Sequence, residues 1–472
     1  MANARLRFSP APTGNLHIGS VRAALYNFLY ARHTAGTFML RIEDTDVARS
    51  TQESVDQIQQ VMHWLGLEWD EGPILQSSRF DAYLAAAQRL LDAGAAYECF
   101  CTPEEVKERN GAAMREGRPP GYDGRCRNLT PDERAARVAE GCPRSVRFRT
   151  PDEGSSMFTD VVRGEVSVAW STITDFVIVR SNGTPVFFLA NALDDIDMGI
   201  THVLRGEDLI DSTHRVLALR RALGRADQPV YAHLPLILGP GGAKLSKRHG
   251  AVSVEEYRDA GYLPGALLNY LALLGWGPED GREVLTVDEL IAEFTLERVN
   301  PSAATFDAKK LEWMNGEHIR AMPVNELVSA VLPFARERYG NRLDIPRFEK
   351  AVELAQERAT TLVQIADQAG FLFVDGTLPA YDPASLDKLR STARADELLD
   401  AVTAFVEKIE PWPDEVDIRP PIEALGMKAR KVMHVVYTAI EGRSAGLPLF
   451  PSIGMIGREV ALERLRGARA IL

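Results

Sequence analysis

The sequence predicts a doubly wound α/β domain with a parallel sheet, interrupted by an α/β insertion and followed by an all-α C-terminal domain. Three observations carry this. Strand-like and helix-like apolar patterns alternate over the first 78 residues, short β-like runs crowd residues 145–180, and after about Ser253 the periodicity is mostly helical. At 472 residues the chain is too long for one core, and two to four domains are expected.

The elements follow in order. Leu6–Ser9 reads as a short strand that must stop by Pro10, because proline cannot join a central ladder. Val21, Leu25, Phe28 and Leu29 recur at helical spacing and predict a helix through about Arg32. TFMLRI, Thr37–Ile42, is the next strand, followed by the acidic turn EDTD and a helix rich in Gln and Val. The pattern changes near Arg79. A helix, FDAYLAAAQRLLDAG, leads into a cysteine segment with the turn-forming RPPGYDGR, then into the β-like runs SVRFRT, EVSVAW and DFVIVR. Parallel-sheet character resumes at THVLRGEDL and YAHLPLILG. This divides the chain into residues 1–78, the first half of the doubly wound domain; 79–195, the insertion; 196–252, the second half; 253–322, a helical region; and 323–472, a helical domain beyond a boundary at Met322-Pro323.

No apolar stretch is long enough to span a bilayer and MANARLRF lacks the apolar core of a signal peptide, so the expectation is a cytoplasmic enzyme with no membrane partner. The net charge of −12 argues against a polyanionic partner, but charge is uneven: from Arg419 onward nine basic residues stand against four acidic. The four cysteines, Cys99, Cys101, Cys126 and Cys142, are not expected to form disulfides in a reducing compartment, and their clustering raises a metal site as one reading.

Two stretches carry candidate chemistry. In SPAPTGNLHIGS, Ser9–Ser20, a loop stiffened by prolines runs into a helix N-terminus, whose N–H groups and dipole suit an anion. Gly14 and Gly19 admit a ligand close to the backbone, and His17 can donate to a phosphate oxygen. Alone, the stretch reads equally as a loop with a surface histidine. In GGAKLSKRHG, Gly241–Gly250, Lys244, Ser246 and Lys247 lie between glycines, as in a cationic loop that closes over a triphosphate, or simply as a solvated basic turn.

Together these stretches resemble the paired signatures of class I aminoacyl-tRNA synthetases. SPAPTG, RIEDTD, THVLRGEDL, KLSKRHG and LLNYLALLGWGPEDGRE are similar to the glutamyl-tRNA synthetase family, and the likeness runs from Arg7 to LFPSIGMIGREVALERL. It implies a Rossmann-type catalytic domain, an acceptor-stem-binding insertion and a helical anticodon-binding domain. It implies ATP-dependent attachment of L-glutamate to glutamate tRNA through a glutamyl-adenylate, with Mg²⁺, by a monomer. On this resemblance His17, Lys244 and Lys247 are catalytic. Pro12, Thr13, Gly14, His17, Gly19, Ser246 and Lys247 bind ATP, and Arg7, Ser9, Glu43, Phe187, Asn191 and Arg205 bind glutamate. Arginine suits a carboxylate because its fork pairs bidentately. Phe187 stands where the family usually has tyrosine, which removes one hydroxyl and about 1 kcal/mol of hydrogen bonding.

Arg358 aligns with an arginine that reads the last anticodon base in some members, or is simply an exposed arginine. Cys99, Cys101 and Cys126 resemble a zinc-binding insertion found in some members, but the fourth position is Asn128, a poor ligand. Cys142 is the alternative fourth ligand. Inert thiols are therefore expected ahead of zinc. A glutaminyl enzyme would show a PEPNG-type turn and a β-barrel anticodon module, and a shortened tRNA-modifying paralogue would lack the helical block.

Overall fold

Prolines and apolar runs punctuate the front of the chain as the sequence requires. The computed structural model describes residues 3–46, 48–243 and 253–472. Twelve strands occur among them: β1 Arg5–Phe8, β2 Thr37–Ile42, β3 Glu71–Leu75, β4 Ala96–Cys99, β5 Ser145–Phe148, β6 Ser155–Asp160, β7 Gly164–Ala169, β8 Phe176–Val179, β9 His202–Gly206, β10 Val230–Leu234, β11 Ile237–Leu238 and β12 Ala304–Thr305. β1 ends before Pro10 and β2 spans the TFMLRI run. The intervening helix, Ile18–His33, buries Val21, Leu25, Phe28 and Leu29.

β1, β2 and β3 form a parallel ladder, with Arg7 opposite Met39. β9 and β10 are parallel as well, and β6, antiparallel to β7, joins the far side of β10 through Tyr231 and Asp160. The two ladders meet at β1 and β9. There the Thr201 amide donates to the Arg5 carbonyl at 3.0 Å and the Arg5 amide to Thr201 Oγ1 at 2.8 Å. Spatial order β3-β2-β1-β9-β10, with helices in the crossovers, is the expected doubly wound core. Between its halves, β4, β5 and β8 make a separate antiparallel sheet inside the insertion.

The chain divides into two compact units. One comprises Met1–Tyr257 and Leu267–Ala308, the other Arg258–Ala266 and Lys309–Leu472. The second unit is helical, and its core gathers Leu263 and Ala266 with Leu327, Phe348, Leu398, Val435 and Leu465. Residues 253–322 contribute to both units. No described helix is long and apolar enough to cross a membrane.

Candidate active site

The loops after β1 and β2 leave the same carboxyl edge of the sheet and are tied together, for the Glu43 amide donates to the Pro10 carbonyl at 2.9 Å. Pro12, Leu16 and Ile18 are buried, which anchors the first loop while Thr13, Gly14 and His17 stay exposed. Gly14 has φ +140°, in the range that favours glycine. His17 is the N-cap of Ile18–His33, and the Ser20 hydroxyl lies 3.2 Å from its Nε2. A side chain at Gly19 would meet the imidazole at 3.1 Å, so glycine there gives the ring its room. His17 also bridges Ser253, and the Val254 amide donates to the Leu16 carbonyl. Lys244, Ser246 and Lys247 lie outside the described residues; the chain that follows them, at Ser253, sits beside His17.

Near this loop opposed charges cluster. Helix Phe187–Asp197 presents Asn191 and Asp195, one turn apart, and both are buried. Arg7 Nε and Arg41 Nη1 donate to the same Asp195 oxygen at 3.1 and 2.7 Å. These two guanidinium groups hold the Asp195 carboxyl down at about 2, against the opposing effect of burial. Glu43 accepts from Arg41 at 3.4 Å and from Asn191 Nδ2 at 3.3 Å, and burial lifts its carboxyl above the ordinary range. Arg205 is different. It is buried and makes no ion pair among the described residues; burial first, and the charge of Arg7 second, lower it to about 10. Ser9 Oγ and Asn191 Oδ1 are buried without a hydrogen-bond partner. Phe187, half-buried at the start of its helix, packs edge-on against Phe188 with ring centroids 5.6 Å apart.

The sequence reading missed Arg41, Asp194 and Asp195. Asp194 accepts from Gln76, Arg79 and Tyr83, which locks the helix carrying Asn191. The available signal was a single arginine inside the otherwise apolar TFMLRI strand, and the paired carboxylates of FFLANALDD.

The insertion brings Cys99, Cys101 and Cys126 together, their sulfurs within 4.8 Å of one another. Capping boxes at Thr102–Glu105 and Thr130–Glu133, each with proline at the first helical position, fix the helix starts on either side. Cys142 corrects the expectation of an alternative ligand: it lies outside this group, its sulfur turned to Glu140 at 3.9 Å. Asn128 is exposed. A fourth donor, unforeseen, is Tyr122. Its hydroxyl is 3.3 Å from Cys99 Sγ, 4.0 Å from Cys101 Sγ, and accepts the Cys126 amide at 2.9 Å. Hydrogen bonding from Cys126, with Tyr122 and Arg147 adding to it, lowers the Cys99 thiol well below its ordinary value. In the helical unit, Arg358 is exposed in the turn after helix Ile345–Gln356, where it hydrogen-bonds the Tyr437 hydroxyl.

A parallel sheet whose first strand runs through a stiff loop into a helix N-terminus, beside a cluster of opposed charges, has the arrangement of a nucleotide-binding α/β domain. The family model for the catalytic domain of class I tRNA synthetases for glutamate and glutamine matches residues 3–313, and an anticodon-binding-domain model matches 326–469. The chain belongs to the class I glutamate and glutamine tRNA synthetases. Glutamate–tRNA ligase 1 of Caldanaerobacter subterraneus subsp. tengcongensis is 41% identical over 473 residues, covering 99% of this chain and 98% of that protein. The Streptomyces griseus glutamate–tRNA ligase is 44% identical, covering 99% and 96%. The crystal structure of a glutamate tRNA ligase from Elizabethkingia meningosepticum, in complex with its amino acid, superposes with a TM-score of 0.86 at 32% identity and covers 99% of both chains.

Proposed function

We propose that this protein attaches L-glutamate to glutamate tRNA, using ATP, for protein synthesis. The observation that carries the reading is a set of buried polar groups left without partners at the carboxyl edge of the sheet. Arg205 has no carboxylate, Ser9 Oγ and Asn191 Oδ1 have no partner, and Glu43 stands opposite as an acid. An amino acid with two carboxylates and one ammonium complements that set. Arg7 and Arg205 receive carboxylates, Glu43 the ammonium, and Ser9 and Asn191 complete the polar contacts.

A glutamate carboxylate attacks the α-phosphorus of ATP and pyrophosphate leaves; the terminal ribose hydroxyl of the tRNA then takes the glutamyl group and AMP departs. Pro12, Thr13, Gly14 and Gly19 shape the phosphate-binding turn. His17, Lys244 and Lys247, with Ser246 beside them, neutralise charge at the phosphates, so the chemistry runs on positioning and electrostatics. Ser253 beside His17 supports the lysines' part, because Lys247 is only six residues away along the chain. ATP carries Mg²⁺ as its phosphate counter-ion, and no side chain is assigned to it.

We also read the thiol cluster as a zinc-holding knuckle. Three sulfurs and the Tyr122 oxygen provide four converging donors, a number that fits tetrahedral zinc. Bound there, zinc would brace the insertion and take no part in the reaction.

The test is aminoacylation of purified glutamate and glutamine tRNAs with labelled glutamate. Product on glutamate tRNA alone is expected. Product on neither tRNA overturns the function, and product on both removes Arg358 as a discriminating residue. His17→Ala and Lys247→Ala should each cut tRNA-dependent pyrophosphate exchange about a hundredfold with little change in glutamate affinity. Wild-type exchange in either variant refutes its assignment.

A further inference from the structure

Behind Arg205 lies a buried polar network that the substrate groups above do not use. His233, on β10, is fully buried. Its Nδ1 lies 2.6 Å from Asp160 Oδ2, which also accepts the His233 amide at 3.0 Å. The other Asp160 oxygen accepts the amides of Val162 and Arg163, each at 2.9 Å. Asp160 closes β6, so the insertion supplies this anchor to the catalytic sheet. A carboxylate only accepts, so the imidazole proton sits on Nδ1 and Nε2 is left as an acceptor.

That Nε2 faces Arg205 Nε at 3.2 Å and Thr213 Oγ1 at 3.1 Å. Thr213 Oγ1 in turn accepts from Arg205 Nη2 at 2.7 Å, and Arg205 Nη2 is 3.3 Å from the Leu209 carbonyl. One edge of the guanidinium is therefore held by three neutral acceptors. Nη1 has no partner among the described residues. Arg41 offers the contrast, its charge spent on Asp195 at 2.7 Å, while Arg7 reaches the same oxygen through Nε alone at 3.1 Å.

We propose that Asp160, His233 and Thr213 are positioning residues that hold Arg205 without neutralising it, so that its charge selects the side-chain carboxylate of glutamate over the carboxamide of glutamine. This rests on the reading of Arg205 as a substrate-binding residue. The physical point is the identity of the acceptor. A carboxylate at position 233 would orient the arginine as firmly and cancel its charge, leaving little reason to prefer an acid. A neutral imidazole, its tautomer fixed from behind by Asp160, supplies orientation alone. Burial, the largest influence on the His233 ring, favours its neutral form.

The experiment measures tRNA-dependent pyrophosphate exchange against glutamate concentration, and against glutamine as competitor, in Arg205→Gln, His233→Leu, His233→Gln and Thr213→Val. Melting curves are recorded on each. Arg205→Gln must raise KM for glutamate at least about tenfold; if it does not, the substrate reading of Arg205 fails first and carries this inference with it. With that established, His233→Leu should raise KM about thirtyfold with kcat within about threefold, and should narrow the preference for glutamate over glutamine. His233→Gln restores a neutral acceptor near the Nε2 position and should return KM to within about threefold of wild type. Thr213→Val should cost about fivefold in KM. A His233→Leu enzyme with wild-type KM overturns the proposal. So does a His233→Gln enzyme no better than His233→Leu at equal melting temperature, because the neutral acceptor would then be irrelevant.

Discussion

Single residues in this protein are decided by whether a buried polar group finds a partner. On the family resemblance Phe187 stands in place of a tyrosine and lacks its hydroxyl, and Asn191, one helical turn further on, has an unpartnered Oδ1. Phe187→Tyr is expected to lower KM for glutamate about fivefold, read from pyrophosphate exchange, because one hydrogen bond contributes about 1 kcal/mol. Glu441 shows a different situation, a buried carboxylate with no ion pair among the described residues. The Ser452 hydroxyl and the Leu447 amide offset its burial only in part. Nearby Arg464 spends its guanidinium on the carbonyls of Thr377, Ile440 and Phe371. Burial pushes the Glu441 carboxyl up to about 7. A carboxyl raised on folding keeps a proton that the unfolded chain has lost, so stability falls as pH rises from the ordinary value of 4.5 toward 7. Glu441→Gln should therefore melt about 5 °C higher than wild type at pH 8 and level with it at pH 5. An equal gain at both pH values would show that ionisation is not the cause.

At the scale of elements, local pattern and long-range closure separate cleanly. The strand Thr37–Ile42 and the helix after His17 were legible because their periodicity is local. Arg41 stands out within its strand, but its partner Asp195 is 154 positions away, and no spacing rule joins them. The packing of Leu263 and Ala266 was hidden for the same reason. Leu263 and Ala266 read as one helical stretch with their neighbours, yet they pack into the core that holds Leu327 and Phe348. Tyr122 was hidden by chemistry: RPPGYDGR announces a turn, and a tyrosine in a turn has no metal-ligand signature. Its position changes the expectation for the insertion. The buried cluster here is small, built from Tyr97, Cys99, Phe100, Tyr122 and Cys126, and a metal would staple what so few apolar groups hold weakly. Metal analysis should find about one zinc per chain, and Cys99→Ser or Cys126→Ser should lose it. Tyr122→Phe should keep the metal but release it faster to a chelator. Metal-free protein of unchanged melting temperature would return the three cysteines to inert thiols.

Across the whole molecule the charge is negative, yet the partner is a polyanion, so the basic groups that count are those left uncommitted. The nine basic residues from Arg419 onward shrink on inspection. Arg419, Arg458, Arg466 and Arg469 pair with Asp417, Glu410, Glu407 and Asp400, and Arg464 is buried among carbonyls. Lys428, Arg430 and Lys431, in contrast, are exposed and without a carboxylate partner among the described residues, at the start of helix Ala429–Glu441. A helix N-terminus adds its positive dipole end to that cluster. Replacing all three with alanine should raise KM for glutamate tRNA about tenfold or more while kcat at saturating tRNA holds. The slope of log KM against log salt should fall by about 2 to 3, one unit for each lost phosphate contact. Arg358→Ala should behave differently, raising KM for glutamate tRNA with little change in salt slope and admitting glutamine tRNA, since a base contact carries sequence choice and a phosphate contact carries affinity. Aminoacylation of both tRNAs across a salt series separates the two effects. A triple variant with an unchanged salt slope would move the tRNA backbone away from this helix start and leave the negative body of the protein to be bridged elsewhere.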